Sequence, residues 1–218
     1  MRPGLGVRVA AIVPFKCFTR AKGRLRTRYS DREVEQLGHA MLADVLGALT
    51  RASCLERVTV LTDDPSVADV ARQARAAVRL RTPDPGLNPA IEDATRELLD
   101  ERFEAVLVVL GDVPLLQTPE VETVVEAGEQ QPVVLVPSSD GGTSLLFRRP
   151  PDCIPACFGP DSASAHARAA RERGLEPRWL SDLHPGTALD LDTPEDAQRL
   201  LETGVACRTT ELLRKFSR

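Results

Sequence analysis

The sequence predicts an α/β fold with a mostly parallel sheet. Short apolar runs alternate along the chain with longer segments whose apolar residues recur every three or four positions, as strands and amphipathic helices do. Strands that alternate with helices pair in parallel and are joined by right-handed crossovers. The 218 residues, of which 42% are hydrophobic, suffice for one buried core. We therefore predict a single domain over residues 1–218, with its core at 7–204 and a C-terminal tail at 205–218.

The strands are predicted from apolar runs bounded by turn residues. The first run, 7–13, is nearly continuous, which is typical of a strand covered on both faces. The run at 106–110 is the most apolar and ends at Gly111 and Asp112. The other strands are predicted at 58–61, 78–80, 133–136, 143–147, 177–180 and 189–192. Ligands of such sheets bind beyond the carboxyl ends of the strands, so the loops that matter are 14–29, 82–89, 111–116, 137–143 and 190–192.

The helices are predicted from their capping residues. Ser30 and Glu33 have the spacing of a capping box, and the apolar residues behind them recur every three or four positions. Asn88 and Pro89 are predicted to cap and open a later helix. Further helices are predicted to begin near Pro65, Thr118, Ser162 and Thr193, with Gly174 and Gly204 ending the last two. The tail, 205–218, shows little pattern.

Charge is distributed unevenly along the chain. Residues 1–30 contain eight Lys and Arg residues and no acid, although the whole chain has 28 cations and 32 acids. A local cationic region on an acidic body suits a small anionic ligand. A nucleic-acid binder is usually basic over a whole face and carries aromatic residues, which are only 4% of this chain. We therefore expect small-molecule substrates and no nucleic-acid partner.

The sequence also indicates a location. It has no apolar run long enough to span a membrane, and the N-terminal segment lacks the cleavage site of a signal peptide. The five cysteines are odd in number and scattered, which argues against a disulfide framework. Cys153 and Cys157 have no second pair to complete a metal site. We expect a cytoplasmic protein that does not bind membranes, and the sequence leaves open whether it is a monomer or a homodimer.

Three acidic residues occupy positions suited to a metal ion. Asp112 follows the most apolar strand, and Asp190 and Asp192 alternate with leucines, so that an extended backbone puts both carboxylates on one face. Mg2+ prefers oxygen ligands, and a bound cation relieves the repulsion between neighbouring acids. The structural alternatives are an Asx turn at Asp112 before Pro114 and a helix cap at Asp192.

The basic loop after the first strand lacks both the spacing of a Walker loop and the dinucleotide fingerprint. It nevertheless places Lys16, Arg20, Lys22 and Arg24 where cations can neutralise phosphates and a leaving diphosphate. The alternative interpretation is a solvated basic surface.

The motifs of common nucleophilic and zinc enzymes are missing from the sequence. There is no nucleophile elbow or H-E-x-x-H, and the three histidines are far apart. A reaction without a protein nucleophile or base fits this pattern. An attacking phosphate is already mostly dianionic at neutral pH, so positioning, cations and Mg2+ would suffice.

Several segments, taken in order, resemble a known family. They are V-P-F-K and A-K-G-R-L in the basic loop, G-L-N-P-A at 86–90, G-D-V-P-L-L at 111–116, D-G-G-T-S-L-L at 140–146, F-G-P-D-S at 158–162 and L-D-L-D-T-P-E-D at 189–196. Together they resemble the 2-phospho-L-lactate guanylyltransferases of coenzyme F420 biosynthesis, whose actinobacterial-type members use phosphoenolpyruvate. The resemblance spans roughly residues 9–203.

The resemblance implies a Rossmann-like nucleotidyltransferase fold, a three-layer sandwich of the nucleotide-diphospho-sugar transferase type. It also implies transfer of GMP from GTP to phosphoenolpyruvate or 2-phospho-L-lactate, with release of diphosphate. The implied GTP-binding residues are Lys16, Lys22, Gly86 and Asn88, and the implied Mg2+ ligands are Asp112, Asp190 and Asp192. The implied acceptor site comprises Thr143, Gly159 and Ser162, whose hydroxyls and backbone N–H suit an anion, and Lys22, Arg24 and Asp112 are the predicted catalytic residues.

The chain departs from the family pattern at two positions, Ser144 for the usual Asn and Gly111 for the frequent Ala. Phosphoenolpyruvate, 2-phospholactate and 3-phosphoglycerate therefore all stay open as acceptors. Two other functions remain as alternatives. One is a nucleotidyltransferase with a sugar-phosphate or molybdopterin acceptor, although such enzymes usually carry a glycine-rich opening loop that this chain lacks. The other is a catalytically silent nucleotide-binding subunit.

Overall fold

A computed structural model of the protein describes residues 7–16, 23–80, 85–183 and 185–217. Its strands are β1 Val9–Pro14, β2 Arg57–Thr62, β3 Ala77–Leu80, β4 Ala105–Val109, β5 Val133–Pro137, β6 Thr143–Arg148 and β7 Arg178–Trp179. Its α-helices are α1 Asp31–Arg51, α2 Pro65–Gln73, α3 Leu87–Asp100, α4 Thr118–Gln130, α5 Ser162–Glu172, α6 Pro194–Glu202 and α7 Arg208–Phe216. Two short 3-10 helices span Leu25–Thr27 and Pro185–Ala188.

The seven strands form one sheet in the order β3-β2-β1-β4-β6-β5-β7. All neighbouring strands pair in parallel except β6, which runs antiparallel to both β4 and β5. The prediction of a mostly parallel sheet is therefore confirmed. The strand order reverses between β1 and β4, and in such sheets ligands bind in the crevice beyond the carboxyl ends at that point.

Helices cover both faces of the sheet. Ala11 and Val13 of β1 join a core formed with α1, α2, α4, α6 and α7, whereas Ala10 and Ile12 join a second core formed with α3 and α5. Because both faces are buried, the central strands are apolar at almost every position rather than at alternate ones. This packing gives the three-layer sandwich that the sequence predicts.

The helix caps agree with the sequence at two sites and differ at a third. Ser30 and Glu33 form the predicted capping box, and Thr193 caps α6. Asn88, however, does not cap α3, because the cap residue is Gly86 and the helix begins at Leu87. The amide of Asn88 is bonded instead to the backbone of another segment, which is described below.

Two C-terminal segments differ from the predictions. Residues 189–192 form no strand but follow the second 3-10 helix as an irregular segment. The tail, in which the sequence shows little pattern, contains α7, whose Leu213 is fully buried against the core. The first turn of α7 is held by Asp44 of α1, which accepts hydrogen bonds from the backbone N–H groups of Arg208 and Thr209 at 3.1 and 2.9 Å.

Within the described residues, no helix has the length and apolar character needed to cross a lipid bilayer.

Candidate active site

Three carboxylates converge beyond the carboxyl end of β4. Asp112, Asp190 and Asp192 each offer one oxygen, and these oxygens all lie within 4.8 Å of one another. All three residues are half-buried. Carboxylate oxygens this close repel one another unless a cation lies between them. The ligand set of hard oxygens at this spacing fits Mg2+, the ion that the sequence predicts here.

The loop that carries Asp112 is shaped by a close contact with the end of β1. The side chain of Phe15 packs directly on Gly111, where an added Cβ would lie 2.3 Å from Phe15 Cδ2. Any larger residue at 111 would therefore push Phe15 away. This contact gives a physical reason for glycine at the position before the aspartate.

The segment with the other two aspartates is fixed from several sides. Leu191, between them, is fully buried, and its N–H donates to the carbonyl of Asp112 at 3.2 Å. Upstream, Thr187 donates to the buried carboxylate of Glu120. The carbonyl of Ala188 accepts a hydrogen bond from Ser139 N–H at 3.0 Å. These contacts hold Asp190 and Asp192 beside Asp112 without any strand pairing.

Asp192 is not the cap of α6, which was its structural alternative. Thr193 is the cap residue, and its hydroxyl accepts from the N–H of Asp196 at 3.1 Å. The carboxylate of Asp196 in turn accepts from the N–H groups of Thr193 and Asp192. The side chain of Asp192 is thus not committed to capping.

One cation of the basic loop contacts this cluster. Arg24 Nη2 lies 3.6 Å from Asp192 Oδ2, although the Arg24 side chain is 75% exposed. The adjacent Leu25 is fully buried and anchors this part of the loop. Lys16 is exposed just after β1. Lys22 and Arg20, both predicted to face phosphates, lie outside the described residues.

Arg24 is also close to Asp140, in the turn between β5 and β6. The pKa of Asp140 is held below its ordinary value, chiefly by the hydrogen bond from the Ser138 hydroxyl, next by the Gly142 N–H, and in smaller part by the charge of Arg24. The turn also contacts α5, because Gly141 accepts from the N–H of Ala163 at 3.3 Å. The turn thus connects the basic loop with the predicted acceptor site.

The predicted acceptor residues lie together at the start of β6 and α5. Ser162 Oγ lies 3.1 Å from Thr143 Oγ1, and both residues are almost fully buried. Gly159 has φ +142, a conformation that favours glycine, and its carbonyl accepts from Ser162 N–H at 3.2 Å. The structure thus brings these three residues together as the sequence predicts, and we call the two hydroxyls the Thr143–Ser162 pair.

His166, which the sequence leaves without a role, contacts this pair. Its Nδ1 lies 3.0 Å from Thr143 Oγ1, and its Nε2 accepts a hydrogen bond from the N–H of Cys157 at 2.8 Å. Phe158 meets the imidazole edge-on, with ring centroids 4.8 Å apart. Burial, and then the charge of Arg148, lower the pKa of His166 to about 4. The ring is therefore neutral at neutral pH.

The loop before α5 is pinned by two residues of α3. Asn88 accepts from Phe158 N–H at 2.8 Å and donates to the Phe158 carbonyl at 3.0 Å. Glu92 accepts from Ala156 N–H at 2.7 Å and pairs with the fully buried Arg148 at 2.9 Å. Asn88 therefore holds the loop before α5 with both ends of its amide, although the resemblance implies a place near GTP.

Gly86 is the other residue that the resemblance places near GTP. It has φ +95, and α3 begins directly after it without a side-chain cap. Glycine is required here because other residues are strained at this φ.

Neither His166 nor the Glu92–Arg148 pair was found by sequence reasoning. Their only signal is chemical, since a histidine within an alanine-rich helix and an arginine at the end of an apolar strand must each find partners when buried.

Comparisons with known proteins show the family to which the chain is similar. Residues 9–217 match the protein family described as guanylyl transferase CofC like. A phosphoenolpyruvate guanylyltransferase of Rubrobacter xylanophilus is 37% identical over 198 residues, or 90% of this chain and 95% of the relative. A 2-phospho-L-lactate guanylyltransferase of Methanothermobacter thermautotrophicus is 32% identical over 96% of this chain and 92% of the relative.

A similar fold occurs in a solved structure. A protein of Desulfovibrio desulfuricans G20 assigned to the nucleotide-diphospho-sugar transferases superimposes with a TM-score of 0.79 at 18% identity, over 96% of this chain and 95% of that one. At that identity the likeness shows the fold alone, and it confirms the fold class that the sequence predicts. The family match and the two relatives go further, and by them the chain belongs to the CofC-like guanylyl transferase family.

Proposed function

We propose that this protein transfers GMP from GTP to a small phosphorylated three-carbon acid, with phosphoenolpyruvate as the first candidate and 2-phospho-L-lactate as the second. The observation that carries the proposal is the position of the aspartate cluster. It lies beyond β4, next to Arg24 of the basic loop, and the turn whose Asp140 senses the charge of Arg24 leads directly into the Thr143–Ser162 pair. A metal site that lies between a cationic loop and the hydroxyls of the Thr143–Ser162 pair suits two substrates that both carry phosphate.

The reaction balances without a nucleophile from the protein. A phosphate oxygen of the acceptor attacks the α-phosphorus of GTP, and the bond from that phosphorus to the bridging oxygen of the β-phosphate breaks. The electron pair leaves with diphosphate. Because the acceptor phosphate is mostly dianionic at neutral pH, no general base is needed. The protein therefore acts by positioning the substrates and stabilising charge.

Each part of the site has a role in this proposal. Asp112, Asp190 and Asp192 would hold Mg2+, which supplies positive charge to the phosphates when bound. Arg24, with Lys16 and Lys22, would stabilise the charge on the leaving diphosphate. Gly86, at the uncapped start of α3, would lie near the nucleoside.

The acceptor would bind by its phosphate at Thr143, Gly159 and Ser162. Two buried hydroxyls and the backbone at the start of α5 form a compact site for an anion. Phosphoenolpyruvate is preferred because the Rubrobacter relative named for it has the higher identity of the two relatives above. We place the reaction in coenzyme F420 biosynthesis in the cytoplasm, with no nucleic-acid or membrane partner, and the chain as a monomer or homodimer.

The proposal is tested by measuring diphosphate release. The protein is incubated with Mg2+, each of the four nucleoside triphosphates in turn, and phosphoenolpyruvate, 2-phospho-L-lactate, 3-phosphoglycerate and a sugar phosphate. We expect release with GTP and one of the first two acids. Release with CTP or UTP and the sugar phosphate would instead support the sugar-nucleotide alternative.

The control variants are chosen to separate catalysis from folding. Asp112→Asn should abolish release, whereas Asp100→Asn, at the exposed end of α3, should leave it unchanged. If the wild-type protein binds GTP but releases no diphosphate with any acceptor, the silent-subunit alternative replaces this proposal.

A further inference from the structure

His166 is buried, yet its chemistry is not used by the proposed reaction. The residue is fully buried on α5, and both ring nitrogens have partners within the described chain. The partner of Nε2 is a backbone N–H, that of Cys157, which can only donate. Nε2 must therefore carry the lone pair, and in the neutral ring the proton is on Nδ1. The loop of Cys157 thus selects the tautomer of His166.

The tautomer determines the direction of the next hydrogen bond. With its proton on Nδ1, His166 faces Thr143 Oγ1 across 3.0 Å as a donor and cannot accept from it, and the backbone of Ser162 is a second hydrogen-bond partner of the ring. Among the residues that the structure describes, the only other partner of the Thr143 hydroxyl is Ser162 Oγ at 3.1 Å. The two hydroxyls have one proton each, and only one proton lies between them. Whichever hydroxyl donates within the pair, one O–H proton is left over.

The other tautomer would have the opposite effect. If Nδ1 carried the lone pair, it would draw the Thr143 proton toward the ring, and Ser162 could then donate to Thr143. The pair would turn lone pairs toward the ligand and repel an anion. We propose that His166 is a positioning residue, which keeps one hydroxyl proton of the Thr143–Ser162 pair directed at the phosphate of the acceptor. This inference rests on the acceptor site of the proposed function.

The surroundings of His166 keep the arrangement in place. The loop before α5, which contains Cys157 and Phe158, is pinned to α3 by Asn88 and Glu92. The N–H of Cys157 is therefore fixed relative to the ring. Phe158 packs edge-on against the imidazole at a centroid distance of 4.8 Å. The ring cannot flip without breaking the bond from Cys157. The hydrogen-bond direction at Thr143 is thus built in before the acceptor arrives.

Two variants separate the two halves of the imidazole. In His166→Asn, the shorter amide can place its NH2 near the position of Nδ1 and still donate to Thr143, but it leaves Cys157 N–H without its acceptor. In His166→Gln, the longer amide can place its oxygen near the position of Nε2 and accept from Cys157, but it no longer donates to Thr143. Both variants lose the ring that packs on Phe158, so each controls for the packing effect of the other.

We expect the KM values for the acceptor to distinguish the variants. His166→Gln should raise the KM for phosphoenolpyruvate about tenfold or more, as expected for a weakened hydrogen bond to a charged ligand, with the KM for GTP unchanged. His166→Asn should keep the acceptor KM within about threefold of the wild type. Equal acceptor KM values in the two variants, or a parallel rise in the KM for GTP, would show that His166 only packs and would overturn the inference.

The tautomer can be measured without any activity. In a 15N-labelled protein, the His166 signals should show a protonated Nδ1 and an unprotonated Nε2, and the spectrum of His166→Asn assigns them among the three histidines. A protonated Nε2 would overturn the inference directly. An inactive wild type would count against the proposed function instead. The Kd of phosphoenolpyruvate for the same two variants, measured by calorimetry, would then replace the KM. A higher Kd in His166→Gln than in His166→Asn would support the inference, and equal Kd values would overturn it.

Discussion

The two sides of the aspartate cluster are built differently. On the side that we propose binds the acceptor, here called the acceptor side, the loop before α5 is pinned by Asn88, Glu92 and His166, and the Thr143–Ser162 pair is almost fully buried. On the side that we propose binds GTP, here called the donor side, the described cations are exposed, and Arg24 meets Asp192 only at 3.6 Å with 75% of its side chain in solvent. Buried hydrogen bonds are directional and unaffected by salt, whereas exposed charges act over distance and are screened.

The difference suggests how the two substrates are recognised. A small acid with few atoms offers little binding energy, so its site must be formed in advance to recognise it at all. A triphosphate brings several charges and can be attracted by exposed cations. We therefore expect substitutions on the acceptor side to act sharply on one kinetic constant, and substitutions on the donor side to act weakly and to depend on salt.

The largest effect is expected at the cluster that joins the two sides. Asp190→Asn should lower kcat by about a thousandfold, the order seen when a key charge-stabilising group is lost. It should not destabilise the metal-free protein, because it removes one of three mutually repelling carboxylates. Steady-state kinetics and thermal unfolding in EDTA measure the two effects. A variant with lowered melting temperature and normal kcat would assign Asp190 a purely structural role.

The next effect concerns the stability of the acceptor side in acid. His166 has a pKa of about 4 in the folded protein against an ordinary value of 6.5. Between these pH values the imidazole is protonated in the unfolded chain but neutral in the folded protein. This contribution to stability is fully present above pH 6.5 and is lost as the pH falls toward 4. The shift corresponds to about 3 kcal/mol.

The measurement is denaturant unfolding at pH 7 and pH 4.5, for the wild type and for His166→Asn. The other groups that titrate between these two pH values are common to both proteins, so the difference between the two curves isolates His166. The variant should lose less stability in acid than the wild type. Parallel curves would mean that His166 is accessible to protons in the folded protein.

A third prediction tests the acceptor site itself. Thr143→Val preserves the shape of the side chain but removes the hydroxyl, which should raise the KM for the acceptor about thirtyfold and leave the KM for GTP unchanged. It should also cost about 1–3 kcal/mol of stability, because the Nδ1–H of His166 loses its acceptor. Initial-rate kinetics with each substrate varied in turn measure the split. A rise in the KM for GTP alone would place Thr143 on the donor side.

On the donor side, a smaller effect is expected. Arg24→Gln should lower kcat/KM for GTP about tenfold at low ionic strength, and the loss should shrink toward about threefold near 0.5 M salt, because an exposed charge is screened. Kinetics over a salt series measure it, with the exposed Arg171→Gln on α5 as the control. A loss that does not change with salt would show that Arg24 becomes buried against the substrate.

The sequence predicted best where the structure depends on local pattern. The strand predicted at 106–110 is β4 at Ala105–Val109, because a strand buried on both faces must be apolar throughout. The cluster of three aspartates followed from strand ends and an alternating pattern, even though 189–192 is not a strand.

The sequence failed where distant residues meet. Asn88 bonds to Phe158 across 70 positions, and Asp44 holds Thr209 across 165. No local pattern encodes such partners, since a capping-type residue looks the same whether it bonds to its own helix or to another segment. The loop before α5 is held by bonds of this kind, so the sequence predicts that Thr143, Gly159 and Ser162 lie together but not which residues hold them in place.

The smallest effect is expected at Ser144, one of the two positions where this chain departs from the pattern of the family that it resembles. Its hydroxyl is buried and has no hydrogen-bond partner among the described residues. Removing an unsatisfied hydroxyl should be neutral or stabilising, so Ser144→Ala should gain up to about 1 kcal/mol in the ligand-free protein. If the hydroxyl serves the acceptor, the same change should raise the acceptor KM about threefold. Denaturant unfolding measures the expected gain in stability, and kinetics on the same preparation measure the expected rise in the acceptor KM. A loss of stability would reveal a structural partner for Ser144.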